Sequence, residues 1–276
     1  MADYKTKDIR NIALLGHGGE GKTTLIESML FAAGITDRQG KVEDGTTVTD
    51  FEPEEIRRKF SISAACAPVD WNEKMLNIID VPGYFDFVAE QAGPLRVVET
   101  ACIVVNGVTG FSVGAEKAFK NAVKHGVGRM FAINQMDRDH ASFDKVTQQI
   151  RERHGSCVVP VLLPIGEGPA FKGVVNVLEK KAYIGAYNKI TEAEVPAEMA
   201  DKVETAFEYL DCIEYEGKEY LVLMPMEEDN GEVVILEVEP VDEENENYLA
   251  IEDEALLNTI FEIFKEKFKD QLEFED

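Results

Sequence analysis

The stretch Gly16-His17-Gly18-Gly19-Glu20-Gly21-Lys22-Thr23 combines glycines, a lysine and a hydroxyl residue in the spacing G-x-x-x-x-G-K-T, and Thr24 follows it. That spacing suits phosphate binding. Glycines let backbone N–H groups turn inward around phosphate oxygens, a lysine at this point can reach the β and γ oxygens, and the next hydroxyl is placed to coordinate magnesium. A helix starting near Lys22 adds the positive end of its dipole. Further along, Asp80-Val81-Pro82-Gly83 directly follows an apolar run. An aspartate at a strand end can hold magnesium through water, and Gly83 can offer its N–H to a γ-phosphate. The Asp-x-x-Gly pattern alone is an ordinary turn; located beyond a P-loop it points to a nucleotide switch.

A third element, Asn134-Gln135-Met136-Asp137, follows the apolar run Met130 to Ile133. It is similar to the Asn-Lys-x-Asp guanine motif, in which the aspartate accepts two N–H groups of the base. Adenine presents an amino group and a ring acceptor there, so Asp137 would select guanine. The ligands expected are therefore GTP or GDP with Mg2+.

The elements that must position these loops are legible as alternating apolar runs and helical patterns, the mark of βαβ units feeding a parallel sheet. Strands are expected at Ile12–Leu15, Ala64–Asp70, Met75–Asp80, Cys102–Asn106 and Met130–Asn134, and helices at Lys22–Ala33, Phe87–Val98, Ala115–His125 and Ser142–His154. The fold class is α/β: a P-loop, doubly wound, mostly parallel sheet with functional loops at the carboxyl ends of its strands. From Cys157 the pattern shifts to short β-like runs (Cys157–Leu163, Phe171–Val177, Lys181–Ile184), read as a small β-rich insert, and then to a polar helical stretch at Thr191–Lys202. Two hairpins follow, one turning at Tyr215-Glu216-Gly217-Lys218 and one at Asp229-Asn230-Gly231, the latter offering positive φ at little cost. The closing helix, Glu252–Leu272, carries Leu256, Leu257, Ile260, Phe261, Phe264 and Phe268 on one face.

The formal charge of −25 is unevenly spread: residues 203–276 hold 25 acidic and 4 basic side chains, net −21, leaving −4 for the rest of the 276 residues. So acidic a tail repels phosphate backbones and anionic lipid, which argues against direct nucleic-acid binding through it and favours a solvated face. Cys66, Cys102, Cys157 and Cys212 lack pair spacing, and the first and second sit in apolar segments where buried reduced thiols are expected, consistent with a reducing compartment. Neither a signal-peptide pattern at the N-terminus nor an apolar run of about 20 residues is visible, so the expectation is a soluble cytoplasmic protein without membrane partners.

With these motifs, Lys5 to about Lys202 resembles the G domain of bacterial elongation factor G, specifically the elongation-factor-G-like paralogue branch of the translational GTPases; LLGHGGEGKTTLIESMLFAAG, IIDVPGYFDFVAE, PVLLPIGEG and FKGVVNVLEKKAYI carry the resemblance. It implies a GTPase, with the ribosome as partner. It also implies that Thr46–Ile62 is switch I and that Ser61 stands where the family has a magnesium-binding threonine, so that the metal set is Thr23, Ser61 and Asp80. Lys22, Gly83 and Tyr84 would be the catalytic positions, although Tyr84 replaces the histidine that helps place the attacking water. Gly19 replaces an aspartate tied to a monovalent cation, Gln135 replaces the lysine along the base, and Lys59 replaces a switch-I glycine. The domains expected are a P-loop GTPase core at 1–155, a partial inserted subdomain at 156–202, and an acidic β-hairpin and helix module at 203–276 that looks like a small acidic bacterial domain of unknown function. The family's Ser-Ala base segment, closing strand and helix, and later domains have no counterpart in this text. A shortened or joined gene product is therefore expected, impaired in hydrolysis and unable to drive translocation alone, or else a remnant acting as a binding module.

Overall fold

A computed structural model describes residues 4–154, 158–186, 189–206, 208–224, 233–240, 246–251 and 253–268. The chain divides into two compact units, Met1–Ile150 with Pro164–Val174 and Tyr183–Glu192, and Arg151–Leu163 with Val175–Ala182 and Ala193–Asp276.

The first unit is organised by a five-stranded mixed sheet. Its strands are β1 (Ile9–Gly16), β2 (Ala65–Trp71), β3 (Lys74–Asp80), β4 (Thr100–Asn106) and β5 (Gly128–Asn134), in the order β2-β3-β1-β4-β5. β3, β1, β4 and β5 run parallel, and β2 is antiparallel to β3. Parallel strands covered on both faces must be apolar throughout, and β4 shows it: Ala101 to Val105 are all buried. β2 is an edge strand with one wet face, so its residues alternate. Ala67 and Val69 are buried and Pro68 between them is exposed, a proline that an edge strand can carry. The same alternation exposes Cys66, against the expectation of a buried thiol, whereas Cys102 on β4 is buried. Asn72 and Glu73, at φ 45° and 61°, close the β2–β3 hairpin.

Helices α1 (Lys22–Ala32), α2 (Pro53–Arg58), α3 (Val113–His125) and α4 (Phe143–His154) complete this part of the chain. Leu14, Ile26, Leu30, Ala67, Val69, Ile78, Cys102 and Val104 pack into the core that joins α1 to the sheet. α3 is bounded as its sequence dictates. Ser112 accepts the Ala115 N–H at its N-terminus, and Gly126 takes φ 66° just past its end. The helix expected at Phe87–Val98 is instead two 3-10 segments, Phe85–Gln91 and Pro94–Arg96. Proline lacks the N–H a continuous helix would use, and the apolar spacing gave no sign of that break.

The remaining elements form two small antiparallel sheets. Strands β6 (Leu162–Ile165), β7 (Gly173–Asn176), β8 (Lys181–Ala186) and β9 (Lys189–Glu194) lie in chain order. The strand expected from Cys157 begins only at Leu162. The helix expected at Thr191–Lys202 gives way to β9, with α5 (Ala197–Ala206) starting after Pro196, because the residue before a proline is driven to extended backbone.

In the second unit, β10 (Glu208–Tyr215), β11 (Lys218–Met224), β12 (Val234–Pro240) and β13 (Glu246–Ala250) form a meander, and α6 (Glu254–Phe268) packs on it. Its core joins Ile213, Tyr220, Val222 and Ile235 to Ile260 and Phe264, with Leu256, Leu257 and Phe261 partly buried beside them, so the helix face read from spacing is the packed one. The turn at Glu216-Gly217 has φ 52° and 77°. β13 was not expected: five residues flanked by acidic chain give too short an alternation to stand out. Gly231, Cys157, the Cys212 side chain and the Leu272 end of the expected helix lie outside the described residues, as does the Phe268 side chain.

Candidate functional site

All three sequence motifs fall at carboxyl ends of the central strands. β1 runs into the glycine-rich loop, β3 into Asp80-Val81-Pro82-Gly83, and β5 into Asn134-Gln135-Met136-Asp137. Glycine is demanded at particular points of this junction. Gly21 has φ 88°, and a Cβ there would lie 2.6 Å from Asn134 Nδ2. A Cβ on Gly83 would crowd the Lys22 Nζ and sit 2.6 Å from the Gly18 N and the His17 carbonyl carbon. The Asp-x-x-Gly turn is thus drawn onto the P-loop.

Lys22 is 6% exposed, and its Nζ donates to the His17 carbonyl at 2.8 Å and to the Gly16 carbonyl at 3.4 Å. Burial pulls its ammonium below the ordinary lysine range, while Asp80, Glu20 and Asp50 favour the charge. Those carbonyls are weak partners for a buried cation, and phosphate oxygens would satisfy it better.

Around Thr23 the hydroxyls and carboxylates converge. The Thr23 hydroxyl donates to Asp80 Oδ2 at 2.7 Å and lies 3.2 Å from Ser61 Oγ; Thr49 donates to the same Asp80 oxygen at 2.8 Å. Asp80 Oδ1 is buried with no hydrogen-bond partner, and so are both oxygens of Asp50. Burial pushes the carboxyl of Asp80 above the usual range. That of Asp50 is pushed up to about 6, chiefly by burial and by the neighbouring carboxylates of Asp80, Glu55 and Glu27, while Ser61 favours its charged form. Unpaired buried carboxylate oxygens are costly. Three of them beside the hydroxyls of Thr23, Ser61 and Thr49 make a hard-oxygen set that fits a magnesium ion. No three histidine, cysteine or carboxylate side chains converge as metal ligands among the described residues, so hydroxyl oxygens are needed to complete any set here.

Two buried glutamates shape the segment that brings Ser61 in. Glu27 on α1 accepts from the backbone N–H groups of Gly40 (3.0 Å) and Val48 (2.6 Å). Glu55 on α2 accepts from Glu52 (3.1 Å), Ile62 (2.9 Å) and Ser63 (3.1 Å). Lys59, where the resemblance puts a glycine, itself takes the left-handed conformation at φ 61° and pairs with Glu43 at 2.8 Å. The backbone shape glycine would favour is kept despite the substitution.

At the base end, Asn134 Nδ2 donates to the Glu20 carbonyl at 2.9 Å. Gln135, at φ 60°, spans from Asn106 Nδ2 (3.0 Å) to the Gly19 carbonyl (3.1 Å). Asp137 is exposed on the turn beyond. Tyr84 is 40% exposed; its ring stacks at a tilt on Phe60, 4.8 Å between centroids, and a Cβ on Gly18 would meet it at 2.8 Å. Thr24 lies outside the Thr23–Asp80 cluster, exposed on α1, and Gly19 is exposed with open space around it.

Within the segment that the resemblance gives as switch I, sequence reading singled out only Ser61 as a ligand; it missed Thr49 and Asp50, which also reach the Thr23–Asp80 cluster. It also missed Asn106, which ends β4 and donates to Gln135, and Ser112, which donates to Glu20 of the P-loop.

The model of the elongation factor Tu GTP-binding domain matches residues 7–264. The chain belongs to that family. As a member of this translational GTPase family it carries a guanine-nucleotide-binding G domain. A crystal structure of a protein from Thermus thermophilus matches it with a TM-score of 0.68 and 35% identity over 72% of this chain. The match covers 30% of that protein, so this chain spans less than a third of its length. No helix among the described residues is long and apolar enough to cross a membrane.

Proposed function

We propose that this translational GTPase G domain binds GTP and GDP with magnesium through Gly16–Thr23, Asp80–Gly83 and Asn134–Asp137, hydrolyses GTP slowly, and is most similar in role to elongation factor G. The observation that carries the reading is the meeting of Lys22, Thr23, Ser61, Asp50 and Asp80, where an ammonium lacks a strong anion partner and carboxylate oxygens lack any. Thr23, Ser61 and Asp80, joined by Asp50, would hold the magnesium. A magnesium ion held there would supply positive charge to offset the negative charge of the bound phosphates. Lys22 offsets the same charge, the P-loop N–H groups orient the triphosphate, Gly83 offers its N–H to the γ-phosphate, and Asp137 reads the guanine edge.

Hydrolysis is slow in this reading because of Tyr84. A phenol cannot supply imidazolium charge, and this one packs on Phe60 and against Gly18. The ribosome is the partner that the resemblance offers. The acidic charge of residues 203–276 disfavours nucleic acid as a direct partner of that segment. The cytosol suits all of these roles. That same packing of Tyr84 on the P-loop favours one other reading, a nucleotide-binding module without turnover. Single-turnover GTP hydrolysis separates the two. We expect slow phosphate release that disappears in Lys22→Ala and rises in Tyr84→His; no release from either the native chain or Tyr84→His supports the binding module instead.

A further inference from the structure

Glu20 is a carboxylate inside a loop whose work is to hold anions. It is 3% exposed, and each of its oxygens has one partner: Oε2 accepts the His17 backbone N–H at 2.5 Å and Oε1 accepts the Ser112 hydroxyl at 2.7 Å. Ser112 is also the N-terminal cap of α3, its Oγ accepting the Ala115 N–H at 3.1 Å. The Glu20 carbonyl, on the other side, accepts from Asn134 Nδ2 at 2.9 Å. One residue therefore ties the loop after β1 to the start of α3 and to the end of β5.

A negative charge so close to a phosphate cradle works against anion binding, so its presence calls for an offsetting gain. Burial raises the Glu20 carboxyl above its ordinary range, and Ser112, the His17 N–H and Lys22 each favour the ionised form. The gain is geometric. A glycine-rich loop with Gly16, Gly19 and Gly21 all at positive φ has much freedom to lose on binding, and a carboxylate anchored at both oxygens removes part of that loss beforehand.

We propose that Glu20 is a positioning residue that clamps the P-loop to the N-terminus of α3, holding the His17–Gly19 backbone ready for a nucleoside diphosphate or triphosphate. This rests on the nucleotide-binding reading given above. The same contacts could serve stability alone, and the variants are chosen to separate these roles. Glu20→Ala removes both anchors. Glu20→Gln keeps the shape, with the amide oxygen for His17 and the amide N–H for Ser112. Ser112→Asp preserves the helix cap but sets a second carboxylate against Glu20.

Three quantities are measured on the full chain: hydrogen exchange at the His17 amide without nucleotide, affinity for a fluorescent N-methylanthraniloyl GDP with magnesium, and melting temperature. Glu20→Ala and Ser112→Asp are expected to speed His17 exchange and to weaken the fluorescent GDP by about tenfold, as for loss of a charge-assisted hydrogen bond; Glu20→Gln should restore most of both. Unchanged His17 exchange in Glu20→Ala overturns the clamp. Unchanged or tighter nucleotide binding alongside a lowered melting temperature also overturns it, because the carboxylate would then be structural or repulsive. If the native chain does not bind the fluorescent GDP, the nucleotide-binding reading fails, while His17 exchange still decides whether the anchor exists.

Discussion

At the phosphate end of the candidate site, Lys22, Thr23 and Asp80 are 6%, 9% and 1% exposed, and Thr23 and Asp80 are joined by a short hydrogen bond. At the base end, Asn134 and Gln135 are half-buried and Asp137 is exposed, on a turn following β5, which ends the sheet order among the described residues. The groups proposed to meet phosphate and metal are buried, which leaves them few alternative positions. In the proposed reading, selectivity for the base rests on one solvated carboxylate, Asp137, beside two amides that brace the P-loop. Affinity should therefore be robust to changes at the base loop and fragile to changes near Lys22.

The largest effect is expected from Lys22→Ala. Losing a buried, charge-assisted contact to phosphate costs about 3 kcal/mol, or on the order of a hundredfold in nucleotide affinity, which isothermal titration with GDP and magnesium would reveal. Asp80→Asn should come next. Its amide oxygen can still accept from Thr23 and Thr49, so the fold survives, while the gain in affinity on adding magnesium falls by about tenfold; an undiminished magnesium effect would place the metal elsewhere. Asp137→Ala should leave the melting temperature unchanged and lower guanine-over-adenine preference by about tenfold, read from competition between GDP and ADP. If Asp137→Ala cost more total affinity than Lys22→Ala, the contrast between the two ends would be reversed.

The smallest expected effect concerns Asp50. Its folded-state carboxyl titrates at about 6 instead of 3.8, so as pH rises between those values the unfolded chain gives up its proton first and the folded state loses stability. Below that window the penalty is absent, and above it the penalty is fully present. Asp50→Asn should flatten this slope and raise the metal-free melting temperature at pH 7 by about 2–4 °C, while weakening stabilisation by magnesium. A lower melting temperature would mean that the charge is already well paired.

Short-range rules made the phosphate end readable, since Gly16 to Thr23 and Asp80 to Gly83 each lie in one turn beside a strand with a clear apolar run. The five central strands and the helices α1, α3 and α4 were legible for the same reason. Thr49 and Asp50 were not, because the contact from Thr49 to Asp80 spans about thirty residues and depends on Glu27 and Glu55 holding the intervening backbone. Nor was the break at Gly93-Pro94 given weight, and the helical pattern at Thr191–Lys202 hid the strand that precedes Pro196. Gln135 shows a different limit: nothing in its type or position announces that its side chain bridges Asn106 and Gly19.

The most direct measurement is an equilibrium titration of the full chain with fluorescent GDP and GTP analogues, with and without magnesium, challenged by unlabelled GDP and by ATP. The account predicts saturable binding well below millimolar concentration, tighter with magnesium, displaced by GDP and not by ATP. Binding absent below millimolar concentration, or displaced equally by ATP, would contradict it.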